Sequence, residues 1–292
     1  MTQEESRMKI KALAPWFGAK RNLAPRIVEV LGPHSVYWEP FCGSMAVLLA
    51  KQPCSMETVN DLHEDLFNLA MVIQDRGQCS DLYKRLRHVL VCEKYIDESR
   101  ERLQEPLKRG VDRAFWYFIN SWIGRNGTAG TKAYNQHFCR RFTKTGGAPA
   151  VRYISAVQSI PAWWRRLQRV AILNMDAFEI LEKVEDQETM AMYVDPPYFT
   201  ISDYYLHDFA DQDHIQLATL LRRFKRARIV LSYYDHPKLS ELYPDWYQEK
   251  IEVSKALSHQ GKRGKNDVRA VEVLLCNQPI QVRNGQGILF NP

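Results

Sequence analysis

Between Ala114 and Met175 the sequence has no aspartate and no glutamate. Nine basic residues occupy the same stretch: Arg125, Lys132, Arg140, Arg141, Lys144, Arg152, Arg165, Arg166 and Arg169. The rest of the chain, with the remaining 31 of 40 basic residues against 34 acids, is slightly acidic, although the whole carries +6. The simplest functional reading of the acid-free segment is a face for a polyanion, because basic side chains neutralise phosphates and release their counterions. Aromatic residues are interleaved there, from Trp116 and Trp122 to Trp163 and Trp164, and most read as core: FWYFINSW at 115–122 has the apolar spacing of a buried helix.

Other absences narrow the class. The six cysteines, Cys42, Cys54, Cys79, Cys92, Cys139 and Cys276, form no C-x-x-C pair and no His/Cys spacing suited to zinc, so no metal is expected and the thiols are read as free. No apolar run approaches the roughly 20 residues of a membrane helix, so no membrane partner is expected. The opening MTQEESRMKIKALAP carries acids and lacks the apolar core of a secretion signal, which predicts a cytoplasmic protein. There is no internal repeat and no long low-complexity tract.

What is present alternates. NLAPRIVEVL (22–31) reads as a helix, VYWEP (36–40) as a strand, SMAVLLAK (44–51) as a helix, METVND (56–61) as a strand and 62–75 as an amphipathic helix. The alternation resumes with RVAILN (169–174), AFEILEKV (177–184), MAMYV (190–194), the helix 211–226 and ARIVLS (227–232), and strands near 247–253 and 270–276 close the sheet. Such an order predicts an α/β fold with a Rossmann-like, mostly parallel sheet built from 8–76 and 169–292. Residues 77–168 lose the pattern and read as a mostly helical inserted domain, with Gly146, Gly147 and Pro149 marking a loop.

Ligands of open parallel sheets bind beyond the carboxyl ends of the strands. Three segments fall there. Gly43, in WEPFCGSMAV, makes a tight turn after the first strand but lacks the further glycines of a G-x-G-x-x-G loop. Asp61 ends the second strand, as either an acid for ribose hydroxyls or a helix N-cap. MAMYV delivers Asp195, and Pro196 and Pro197 then fix successive φ angles and remove two backbone donors. That leaves a rigid cluster of acceptors beside Tyr198, suited to a planar group bearing an amine; a loop that simply caps the next helix is the other reading.

The run Asp195-Pro196-Pro197-Tyr198 resembles the signature of amino-group DNA methyltransferases. PWFGAK and EPFCGS before it resemble the Dam-type DNA adenine methyltransferases. In that family an aromatic-x-Gly-Gly-Lys segment, Glu-Pro-Phe-x-Gly-x-Gly, a ribose-binding acid, an inserted recognition domain and Asp-Pro-Pro-Tyr follow in this order. Here Ala19 stands for the second glycine of the first motif and Met45 for the second glycine of the next. The resemblance implies transfer of a methyl group from S-adenosyl-L-methionine to the exocyclic amine of an adenine flipped from double-stranded DNA. Asp195, Pro196, Pro197 and Tyr198 would form the catalytic turn. Trp16, Lys20, Glu39, Phe41, Gly43, Asp61 and Asp176 would hold the cofactor, Asp176 being equally readable as a helix N-cap. Arg125, Asn126, Lys132, Arg140, Arg141 and Lys144 would meet DNA. A bacterial or phage-encoded enzyme with no obligatory protein partner, solitary or paired with a restriction nuclease, fits the resemblance. An RNA adenine methyltransferase and a catalytically silent DNA-binding relic are the alternatives.

Overall fold

The computed structural model describes residues 10–16, 18, 20–106, 108–124, 138, 148–199, 209–254 and 269–280. Among these residues, seven strands form one sheet in the order β3-β2-β1-β4-β5-β7-β6. These are β1 (Val36–Glu39), β2 (Met56–Asn60), β3 (Val170–Leu173), β4 (Met190–Val194), β5 (Arg228–Tyr234), β6 (Tyr247–Ser254) and β7 (Arg269–Cys276). The first five run parallel, while β7 is antiparallel to both β5 and β6. This is the doubly wound, Rossmann-like arrangement that the alternating sequence predicts.

Period-two alternation sorts the strand side chains onto two cores. Along β4, Ala191 and Tyr193 join one buried cluster and Met190, Met192 and Val194 the other. On the first face pack α1 (Ala24–Leu31), α2 (Ala46–Ala50) and α3 (Glu64–Gln74); on the second pack α8 (Ala177–Lys183), α9 (Asp211–Leu221) and α10 (Lys238–Leu242). With helices on both sides, every residue of β4 is buried, which is why MAMYV reads as a continuous apolar run instead of an alternating one.

Between β2 and β3 lie, among the described residues, α3 and four further helices: α4 (Arg76–Arg87), α5 (Glu93–Gln104), α6 (Val111–Ile123) and α7 (Pro149–Leu167). Their apolar faces belong to the same buried cluster as α1–α3. Trp122 of α6 donates its indole N–H to the Leu13 carbonyl at 3.1 Å, and Trp163 of α7 donates to Ile10 at 2.7 Å. These two helices therefore hold the N-terminal strand of chain that leads to Trp16 and Lys20.

The sequence reading needs three corrections. Pro149 does not belong to a loop: it is the first residue of α7, where its fixed φ suits a helix start and its missing N–H costs nothing. The helix expected to reach residue 226 stops at Leu221, and the amides of Lys225, Arg226 and Ala227 turn onto the Asp186 carboxylate at 2.8–3.1 Å. Two cations of the acid-free segment also serve the fold itself. Arg152 donates to the carbonyls of Trp122 and Gly124, and Arg166 clasps Glu57 with two donors at 2.6 and 2.7 Å. Among the described residues, no helix is long and apolar enough to cross a membrane.

Candidate active site

A cavity of about 530 Å³ opens over the carboxyl ends of β1, β2, β3 and β4. Trp16, Lys20, Glu39, Phe41, Gly43, Asp61, Asp176, Asp195 and Pro197 all line it, although up to 181 positions separate them in the chain. Pro196 and Tyr198 are buried beneath the wall. Arg125, Asn126, Lys132, Arg140, Arg141 and Lys144, expected to meet a nucleic acid, lie outside the described residues.

The wall after β1 depends on backbone geometry that few residues tolerate. Gly43 has φ +43°, and a Cβ placed there would lie 2.8 Å from Trp16 Nε1. Glycine is thus needed twice, for the left-handed backbone and for the approach of the Trp16 ring. The Gly43 N–H donates to Asp61 Oδ2 at 2.8 Å, and Asp61 Oδ1 accepts from the His63 N–H at 2.9 Å. Asp61 is therefore not the cap of α3. His63 is, with Nδ1 accepting from the Leu66 N–H. Met45, at φ 59°, is the only non-glycine residue with positive φ among those described, which explains why the resembling family has glycine there. Its side chain is buried in the core and does not line the cavity.

Asp176 caps α8, accepting from the Phe178 N–H at 2.7 Å, and faces the cavity as well. Behind it, Asn60 staples three loops: its side chain donates to the carbonyls of Pro40 and Met175 and accepts from the Met175 N–H. Glu39 is 1% exposed and accepts from the Tyr37 hydroxyl at 2.8 Å. Burial raises its carboxyl to about 8, the nearby Asp195 adding to the rise and the Tyr37 hydrogen bond opposing it.

Asp195 sits at the end of β4 with its side chain 20% exposed. Its Oδ1 gathers Ser232 Oγ at 2.9 Å, Lys20 Nζ at 3.0 Å and the Tyr198 hydroxyl at 3.1 Å. Its Oδ2 takes no hydrogen bond among the described residues. Burial lifts the carboxyl above the usual carboxylate range, and Lys20 opposes the rise. The Tyr198 ring is covered by the Lys20 ammonium at 4.9 Å and by Tyr233 and Tyr234. Among the described residues, the aromatic residues that line the cavity are instead Trp16, Phe41, Phe178, Tyr193 and Phe209.

Sequence reasoning missed Asn60, Ser232 and Glu272 as parts of this site. Glu272 carried a signal: in RAVEVLLC it shares a strand face with Leu274, and an acid on a buried face needs partners. Ser232 carried one only through the family: ARIVLSYYD at 227–235 resembles the strand-to-loop segment where the Dam-type enzymes commonly have Ser-Asn, while one hydroxyl in an apolar strand is by itself unremarkable. Among the described residues no group of histidine, cysteine or acidic side chains could hold a metal.

Comparison with known proteins adds the family. A solved structure of the rRNA methyltransferase aviRa from Streptomyces viridochromogenes is similar over 88% of this chain and 84% of its own, at 16% identity and a TM-score of 0.39. Comparison with curated proteins finds no match. Residues 16–260 match the family described as D12 class N6 adenine-specific DNA methyltransferase, in agreement with the Dam-type resemblance of the motifs. That match takes in the Trp16 segment, the Gly43 turn and the Asp195 turn within one span, and the chain belongs to this family as an adenine-specific DNA methyltransferase.

Proposed function

We propose that the cavity receives S-adenosyl-L-methionine together with an adenine turned out of duplex DNA, and that Asp195 Oδ2 accepts a hydrogen bond from the adenine's amine. The observation that carries this reading is the asymmetry of Asp195. Donors converge on one carboxylate oxygen and leave the other open on a cavity-lining side chain.

The residues present fit the donor molecule. Asp61, Asp176, Glu179, Glu182 and Asp213 line the cavity against Lys20 alone among the described lysines and arginines, which suits a cationic ligand. The outer lone pairs of Asp61 suit a diol, and Trp16, Phe41 and Phe178 offer faces to a purine. When bound, the cofactor supplies a sulfonium methyl group, whose carbon–sulfur bond breaks as the amine's lone pair forms the new carbon–nitrogen bond.

The chain's own task is to prepare that lone pair. In free adenine it is delocalised into the ring and poorly nucleophilic. A hydrogen bond from the amine to Asp195 Oδ2 favours a more tetrahedral nitrogen and aims its lone pair out of the ring plane. The nitrogen becomes positive as it takes the methyl group and must lose a proton, and in this reading Oδ2 accepts that proton and passes it to water. Positioning and charge stabilisation carry the reaction, and no covalent enzyme intermediate is required.

A paired adenine cannot reach such a recess, so extrusion is proposed, at an unstacking cost of about a few kcal/mol. The six expected DNA contacts, Arg125, Asn126, Lys132, Arg140, Arg141 and Lys144, would hold the duplex through its phosphates and read a few base edges.

The test is expression in a host free of adenine methylation, followed by digestion of its DNA to nucleosides and mass spectrometry. N6-methyladenine should accumulate with the wild type and be absent with Asp195→Ala. A folded wild type that binds S-adenosyl-L-methionine in calorimetry but leaves DNA unmodified would overturn the reading, and methyl groups found in RNA instead would redirect it.

A further inference from the structure

Beside Asp195 stands a second buried carboxylate, Glu272 of β7, which the proposed reaction does not use. Its side chain is 6% exposed. Glu272 Oε1 accepts from the Tyr198 hydroxyl at 2.6 Å and lies 3.2 Å from Lys20 Nζ. Both donors are the ones that also reach Asp195 Oδ1. One ammonium and one hydroxyl are thus shared between two carboxylates.

From this geometry we infer that Glu272 is a positioning residue for methyl transfer: by competing for Lys20 and Tyr198, it keeps Asp195 an electron-rich acceptor toward the amine. The inference rests on the function proposed above.

Counting protons explains how. The Tyr198 hydroxyl has one proton to give, and the contact at 2.6 Å claims it more strongly than the one at 3.1 Å. The Lys20 ammonium has three, and its partners include the Gly18 carbonyl at 2.9 Å and the two carboxylates. Without the charge of Glu272, Lys20 would neutralise Asp195 outright and Tyr198 would turn its proton to Oδ1. The carboxylate would be better satisfied and therefore a weaker acceptor at Oδ2. With Glu272 present, Lys20, Asp195 and Glu272 together carry one surplus negative charge, next to the place where a nitrogen becomes positive. Buried as Lys20 and Glu272 are, such a fixed charge acts strongly on a developing cation.

Further groups bear on Asp195: Glu39 from β1, Tyr193 from its own strand, and Ser232, Tyr233 and Tyr234 from β5. Of these, Glu39 is the other acid, and burial holds it largely protonated near neutrality. Glu272 also acts directly in the expected sense, since its charge contributes to raising the Asp195 carboxyl.

The decisive variant is Glu272→Gln, which keeps an oxygen acceptor in place and removes the charge. Two measurements separate the possible failures. In protein labelled with carbon-13 at the aspartate carboxyls, the Asp195 signal, identified by its loss in Asp195→Asn, should titrate at lower pH in Glu272→Gln than in the wild type. In steady-state methylation of DNA, kcat should fall on the order of tenfold, the scale of about one unit of carboxylate basicity. The affinity for S-adenosyl-L-methionine should be unchanged, and the acid limb of the kcat profile should move to lower pH. Glu272→Asp, which restores the charge at shorter reach, should recover part of both effects.

An Asp195 titration that stays put in folded Glu272→Gln overturns the inference. So does an active wild type whose kcat and acid limb Glu272→Gln leaves unaltered. A wild type that does not methylate adenine in DNA, while the Asp195 titration still moves as stated, refutes the proposed function and supports the electrostatic role of Glu272.

Discussion

Two buried ionic clusters flank the sheet, and they are built from similar side chains with opposite balance. Near the amino end of β2, Glu57 is enclosed by Lys51 at 2.5 Å and by both terminal nitrogens of Arg166 at 2.6 and 2.7 Å, so two cations surround one carboxylate. At the carboxyl end of β4, Lys20 is shared by Asp195 and Glu272, so one cation serves two carboxylates. In the first cluster both oxygens of Glu57 are engaged and its side chain is fully buried. In the second, Asp195 keeps an oxygen without a partner among the described residues and its side chain is partly open. Saturation marks the cluster that joins α7 and α2 to the sheet; deficit marks the one that can still bind something. Contacts run from the first cluster along β1 to the cavity wall, where Lys51 lies over the Tyr37 ring at 4.6 Å and the Tyr37 hydroxyl bonds Glu39.

The largest expected effect is on the saturated side. Glu57→Ala leaves Lys51 and Arg166 buried together without their anion, which should cost about 3–5 kcal/mol in urea unfolding. Asp195→Ala should do the reverse: it leaves Lys20 still paired with Glu272, so the unfolding midpoint should stay close to wild type. Its methylation rate should nevertheless drop by ~100-fold or more, because one well-placed acceptor is lost. Equal stability losses in the two variants would erase the distinction between the clusters.

How much of this was legible beforehand follows from the physics of each part. The sheet was, because parallel strands covered on both faces are apolar runs and their helices carry amphipathic stripes. The cavity wall was legible wherever chemistry forces a rare residue, as at Gly43, or removes backbone freedom, as at Pro196 and Pro197. Lys20 could be named only through the family motif; that its ammonium would bridge Asp195 and Glu272 could not be read, because residues 20, 195 and 272 meet only once the strand order is known. Arg166 was misleading for a related reason. In the sequence it adds to a basic surface, yet folding turns it inward onto Glu57.

A smaller effect separates the clusters by pH. Glu39 is raised to about 8 mainly by burial, so its neutral form favours the fold. That contribution is complete below the ordinary glutamate value near 4.5 and is lost as pH rises toward 8. Burial alone would raise Glu57 too, but Arg166 and Lys51 hold it below the ordinary value, so its contribution is present above 4.5 and fails only in acid. Unfolding midpoints of wild type and Glu39→Gln measured from pH 5 to 8.5 should therefore change in the variant's favour as pH rises. Parallel curves would show that Glu39 is not held neutral by the fold.

The smallest effect concerns the backbone that shapes the open side. Met45 occupies a left-handed conformation that costs a side chain about 1–2 kcal/mol, in the loop between β1 and α2. Glycine would relieve that strain, and the sequence pattern of the resembling family invites the substitution. The side chain, however, is 1% exposed within the core cluster, and deleting a buried methionine side chain costs about 2–5 kcal/mol. Glycine further gains about 0.5–1 kcal/mol of freedom in the unfolded chain, which also opposes folding. The packing loss exceeds the strain relief, so Met45→Gly should lower stability by roughly 1–3 kcal/mol in denaturant unfolding. Affinity for S-adenosyl-L-methionine should hold in calorimetry, because Met45 lies behind the cavity wall and not on it. A variant more stable than wild type would mean that the strain at Met45 outweighs its packing, and that the open end of the sheet carries more conformational tension than its core contacts offset.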